Sequence, residues 1–190
     1  MSKNQSSQWR PRTLAVRAGL DRSHHGETSE ALYLNSGFVY DTAEQAEARF
    51  LGDDEGFIYS RYGNPTVSMF EERLAQLDGS EACFATASGM SAVFAALLCQ
   101  LQNGDHVVAS RALFGSCHYI LTQLLPRYGI KVDLVDGTDL EQWSATIRAG
   151  TTCVFFETPS NPTLDLIDIQ AVADMAHAVS ASVVVDNVFS

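Results

Sequence analysis

From residue 82 onward, short runs that are apolar at every position alternate with longer amphipathic stretches, and this alternation narrows the fold more than any other feature. Cys153-Val154-Phe155-Phe156 and Val183-Val184-Val185 are apolar on both faces a strand presents, so each needs cover on two sides. Such strands belong in an α/β fold, a mainly parallel sheet sandwiched by helices. The pattern predicts strands near 82–86, 106–109, 132–135, 152–157 and 182–186, with helices over 88–101, 116–128, 139–149 and 168–179. Ligands of these sheets bind beyond the carboxyl ends of the strands, so the loops leaving them are the places to look for chemistry. Residues 82–104 carry no charge and are long enough to raise a membrane span, but Thr86, Ser88, Gly89 and Ser91 interrupt the run where a span would carry Leu or Ile. A strand, a tight turn and a helix account for the same residues.

Upstream, residues 1 to about 40 are polar and irregular and read as an extended arm. Residues 42–51 have helical composition, and Gly52 to Gly56 make an acidic break. Asn64 is an N-cap candidate with Pro65 at the first helical position; Met69, Phe70, Leu74 and Leu77 recur on one face, and Gly79 stops the helix. The expected organisation is an arm with a first helix over 1–56, packing on a partner subunit, followed by the N-terminal portion of a larger domain over 57–190. Because the chain stops at Ser190, four residues after an apolar strand, it is expected to be part of a longer protein.

With 12 Lys plus Arg against 23 Asp plus Glu, the net charge is −11, which disfavours nucleic acid and anionic membrane surfaces as partners. The 46% hydrophobic content supports a large core, so small molecules and other protein chains are the expected partners. Cys83, Cys99, Cys117 and Cys153 form no C-x-x-C pair, and the five histidines form no ligand-spaced cluster, so no metal site is expected. Without an apolar leader after Lys3, Arg10 and Arg12, the cytoplasm is the default compartment.

Three segments could carry chemistry. Ser88-Gly89-Met90-Ser91 stands between a predicted strand and helix, where backbone N–H groups and the helix dipole make an anion site, although a small-residue packing turn has the same composition. It matches neither a Walker A loop nor a dinucleotide fingerprint nor a nucleophile elbow. Tyr59-Ser60-Arg61-Tyr62-Gly63-Asn64-Pro65-Thr66 puts a guanidinium and two phenols on a loop, groups suited to phosphate, although an arginine on a loop is by itself usually only a solvated charge. Glu157-Thr158-Pro159-Ser160-Asn161-Pro162 and Asp186-Asn187 follow two apolar strands. A lone acid there is usually a cap or turn former, but several loops converge on one edge.

Taken in order, YSRYGNPT, ATASGMSA, LFGSC, FFETPSNPT and VVVDN resemble the pyridoxal-phosphate enzymes of cysteine and methionine metabolism, the cystathionine γ-synthase-like group of fold type I, over roughly residues 30 to 190. The resemblance implies pyridoxal 5'-phosphate as cofactor, with the amides of Gly89 and Met90 on its phosphate and Ser88 beside them. Tyr59 and Arg61 match residues that reach the phosphate of a neighbouring subunit's cofactor, which implies a dimer with shared active sites and beyond it a homotetramer. Phe114 matches the aromatic stacked on the pyridine ring, Asp186 the carboxylate paired with the ring nitrogen, and Asn161 a residue near the ring oxygen and substrate carboxylate; Glu157 lies in the same motif.

Most members have Tyr where this chain has Phe114, and often Thr where it has Val188. Phe in an LFGS context is most similar to the members that convert O-succinylhomoserine and sulfide to homocysteine and succinate, a γ-replacement in methionine biosynthesis. γ-Synthase, O-acetylhomoserine or methionine γ-lyase activity, or a non-catalytic version of the fold, stay open as alternatives. The implied mechanism needs a lysine as imine partner and general acid-base. Lys3 and Lys131 are the only lysines, and neither stands in the family's S-x-T-K context, which would follow shortly after Ser190.

Overall fold

A computed structural model describes residues 9–190, so residues 1–8 of the expected arm lie outside the described part. The chain falls into two compact units, the first ending at Ala85 and the second spanning Thr86–Ser190.

Among the described residues the first unit holds three helices, α1 (Pro11–Arg17), α2 (Ala43–Leu51) and α3 (Pro65–Asp78). Helix α1 was not expected, since a seven-residue helix, about two turns, inside a polar stretch leaves no periodic signal. Asn64 caps α3 as expected: its side chain accepts the Thr66 N–H at 2.9 Å and donates to the Tyr33 carbonyl at 2.9 Å, which also ties the preceding loop to the helix. Gly79 ends α3 in the left-handed conformation. The expected apolar face is corrected here, because Met69 and Ala75 are the residues α3 buries while Phe70, Leu74 and Leu77 are exposed. Gly19 sits so close to α3 that a side chain would stand 2.5 Å from the Met69 carbonyl oxygen, which requires glycine.

The second unit contains one parallel sheet of β1 (His106–Ser110), β2 (Lys131–Val135), β3 (Thr151–Glu157) and β4 (Ser182–Asp186), in the order β2-β1-β3-β4. Successive residues of β1 and β3 feed opposite faces. Val107, Ala109, Cys153 and Phe155 pack with Leu97 of α4 (Gly89–Leu98) and Leu121, whereas Val108, Val154 and Phe156 pack with Trp143 of α6 (Leu140–Thr146) and with Val172 and Ala176 of α7 (Ile169–Ala178). Burying β3 on both faces in this way explains its uninterrupted apolar run. Strand β4 is half-buried along its length and, among the described residues, has β3 as its single ladder neighbour.

Two further expectations are corrected. Residues 82–86 form no strand: a strand needs a ladder partner, and none of the described residues supplies one, so the segment runs extended with the Ala85 N–H on Glu71 Oε1 at 2.7 Å. The single helix expected over 116–128 is α5 (Gly115–Tyr119), then a π-helical turn (Ile120–Leu124) and a 3-10 turn (Leu125–Tyr128). Pro126 lacks an N–H and cannot continue an α-helical ladder, which accounts for the change of winding.

Candidate functional site

Parallel strands point their carboxyl ends the same way, and at that edge a cavity of about 620 Å³ opens. Ser88, Gly89, Met90, Phe114, Asn161 and Asp186, expected from different parts of the sequence, all line it, together with Glu157 and Cys117. The volume is in the range of small-molecule sites. Each wall follows from local folding.

Ser88 is the N-cap of α4, with extended dihedrals, and its hydroxyl accepts the Ser91 N–H at 3.2 Å. The N–H groups of Gly89 and Met90 therefore open the helix with no intrahelical acceptor, and Gly89 faces open space. Their positive end suits an anion. Phe114, the N-cap residue of α5 on the connection from β1, is 43% exposed on the cavity wall. Asp186 is the last residue of β4; its Oδ1 accepts the Val188 N–H at 3.2 Å, and the Cys117 thiol lies 3.9 Å from its Oδ2. The carboxylate is thus fixed from two sides while still facing the cavity. Burial first, then Asp186 and Glu157, pushes the Cys117 thiol up to about 11, which keeps it protonated at neutral pH.

Beside Asp186 in the β3–β4 ladder stands Glu157, fully buried. Burial raises its carboxyl above the ordinary carboxylate range and Asp186 adds to this, while the N–H groups of Phe114 and Asn161 pull the other way. Tyr59 and Arg61 belong to the first unit, and the cavity lining comes wholly from the second. Arg61 lies over the rings of Tyr59 at 5.2 Å and Tyr62 at 5.1 Å, and among the described residues it has no carboxylate partner. Lys131 opens β2 at the opposite end of the sheet from the cavity. Among the described residues no group of three His, Cys, Asp or Glu side chains could hold a metal ion, and no helix is long and apolar enough to cross a membrane.

The donor set fits a flat aromatic ring with an anionic arm: orphan helix amides and the Ser88 hydroxyl for an anion, an aromatic wall for the ring, and a carboxylate for a ring cation. An α/β domain with these groups at its strand ends is the arrangement of fold type I pyridoxal-phosphate enzymes. The chain belongs to the Cys/Met metabolism PLP-dependent enzyme family, which it matches over residues 12–190. It is 54% identical over 178 residues, 94% of its own length, to an O-succinylhomoserine sulfhydrylase of Mycobacterium tuberculosis, of which it covers 44%. It is 42% identical over 178 residues, 93% of its length, to an L-methionine γ-lyase of Porphyromonas gingivalis, of which it covers 45%. Among solved structures it resembles an O-acetylhomoserine (thiol)-lyase of Campylobacter jejuni that contains N'-pyridoxyl-lysine-5'-monophosphate, with a TM-score of 0.89, 30% identity, 95% of this chain and 45% of that one. The chain thus spans under half the length of these relatives.

Glu157 is the residue whose role was least legible in advance. Its signal was an acid closing an otherwise apolar strand with no basic residue beside it in sequence.

Proposed function

We propose that the protein catalyses a pyridoxal-phosphate-dependent γ-replacement in the cytoplasm, converting O-succinylhomoserine and sulfide to homocysteine and succinate in methionine biosynthesis. The observation that carries this reading is Phe114: the LFGS aromatic stands on the cavity wall without the hydroxyl most members have there. The 54% identity to a relative named for the same substrate supports it.

Pyridoxal phosphate in this cavity supplies an electron sink for charge developing on the substrate's α carbon. The chain's own residues bind, orient and hold protons. The Gly89 and Met90 amides with the Ser88 hydroxyl take the phosphate, and the Phe114 ring covers one face of the pyridine. Asp186 keeps a proton on the ring nitrogen by placing a negative charge beside it. Asn161 orients the substrate carboxylate through its amide. Since Phe114 cannot exchange a proton, proton transfers fall to the lysine, which this reading puts outside residues 1–190.

Tyr59 and Arg61 serve the phosphate of a neighbouring subunit, and residues 1–56 pack on that subunit, so the working unit is a dimer with shared active sites, paired again into a tetramer. The arrangement gives the phosphate the guanidinium that its own cavity lining lacks.

The test is product analysis on the complete protein. O-succinylhomoserine and sulfide should yield homocysteine and succinate in equal amounts, faster than the acetyl ester. Faster turnover of the acetyl ester, or 2-oxobutyrate as the main product, would reject the substrate or the replacement chemistry.

A further inference from the structure

Strand β3 ends on a carboxyl group with no cation beside it. Glu157 is fully buried and forms no ion pair among the described residues. Its two oxygens are divided between two loops: Oε2 accepts the Phe114 N–H at 2.7 Å and Oε1 accepts the Asn161 N–H at 3.1 Å. Residue 114 lies on the connection from β1 to α5, and residue 161 on the turn that leaves β3. Both residues line the cavity from these two connections.

Burying an acid next to the Asp186 carboxylate is costly, and a loop can be anchored more cheaply by a hydroxyl or an amide. A carboxylate has one property those groups lack: it is acceptor-only on both oxygens, so it can take two N–H donors from two directions at once. Glutamine in its place accepts on one oxygen and turns an NH₂ group against the other donor.

We propose that Glu157 is a positioning residue, tying the Phe114 loop and the Asn161 loop to the end of β3 and so setting the gap between the aromatic and amide walls into which the cofactor ring fits. This rests on the cofactor reading given above. Glu157 acts through the backbone of its two neighbours.

The test compares Glu157→Gln and Glu157→Ala with the parent in the complete protein. Amide hydrogen exchange of the cofactor-free protein reads the two ties directly. Exchange at Phe114 or Asn161 should rise about tenfold or more in Glu157→Gln and at both in Glu157→Ala, while Val107–Ala109 in β1 keep their protection. In the same variants pyridoxal phosphate should bind about tenfold more weakly, with a reduced circular dichroism band of the bound cofactor. Exchange unchanged at both amides, or raised equally in β1, overturns the proposal; so does an unaltered affinity and dichroism in Glu157→Ala. If the parent itself binds no pyridoxal phosphate, the cofactor reading fails and this inference falls with it, whereas a parent that binds and variants that match it overturn this inference alone.

Discussion

Replacing Phe114 by Ala isolates the ring as a contributor to cofactor binding, because the bond that anchors this residue comes from its backbone N–H and survives the substitution. An aromatic side chain offers on the order of 200 Å² of surface, so at 43% exposure about 85 Å² of Phe114 stays open to a ligand. Covering that area at about 25 cal/mol per Å² contributes about 2 kcal/mol. Offset stacking adds about 0.5–1.5 kcal/mol. Alanine keeps a small part of the contact, which leaves an expected loss of about 2–3 kcal/mol, or roughly 30- to 150-fold in the dissociation constant for pyridoxal phosphate. The assay is titration of the cofactor-free protein followed by quenching of its intrinsic fluorescence. Phe114→Leu, which keeps apolar area but not the stacking, should fall between the parent and Phe114→Ala. Binding by Phe114→Ala within about threefold of the parent would refute the assignment of the ring to the pyridine face, since the open area would then be covered by nothing.

Asp186→Asn should lower the pKa of the bound pyridine nitrogen by about 1–3 units, read from the pH dependence of the cofactor's absorption; an unchanged titration would remove Asp186 from the ring nitrogen. Asp133, held below the ordinary carboxylate range first by the hydrogen bond from His106 at 2.9 Å and then by Arg148, stabilises the fold above the unfolded carboxyl value and loses that contribution as pH falls through the depressed folded one. Its side chain is 52% exposed, so Asp133→Asn should cost at most about 1 kcal/mol in thermal unfolding at neutral pH and nothing in acid, and a gap that widens in acid would contradict the assignment. The thiols of Cys117 and Cys153, both pushed up to about 11 chiefly by burial, should resist alkylation in the native protein at pH of about 8 while the exposed Cys99 reacts; equal labelling of all three would show that the core opens readily.

Elements written in local chemistry were legible. The Asn64 cap, Pro65 and the Gly79 stop delimit α3 because capping needs only neighbouring residues, and the two-faced apolar runs Cys153–Phe156 and Val183–Val185 pointed to a covered parallel sheet. What depended on distant partners was not legible. Residues 82–86 have strand composition, yet a ladder needs a second strand, and composition does not say whether one lies alongside. At the site, Ser88, Gly89, Met90, Phe114, Asn161 and Asp186 could be named because each sits in one of the short motifs that, taken in order, resemble a single family. The pairing of Glu157 with two backbone amides left no pattern, since the groups it binds carry no side-chain identity.

In the β3–β4 ladder Glu157 stands opposite Asp186, and the two acids do different work from adjacent strands. Side chains on a strand alternate sides, so a slip of β4 by a single residue would set Val185 or Asn187 beside Glu157 and turn Asp186 away from the cavity. Hydrogen bonding along the strands would survive such a slip almost intact, so the backbone alone exerts little preference. The discrimination comes from the residues that close the strand: the Asn187 amide donates to the Thr158 carbonyl at 2.6 Å, and the Thr158 N–H donates to the Asp186 carbonyl at 3.0 Å. Three identical valines are blind to a shift of one residue, so these polar ties act as a vernier: they decide, to within one peptide unit, which functional group the sheet presents to its guest.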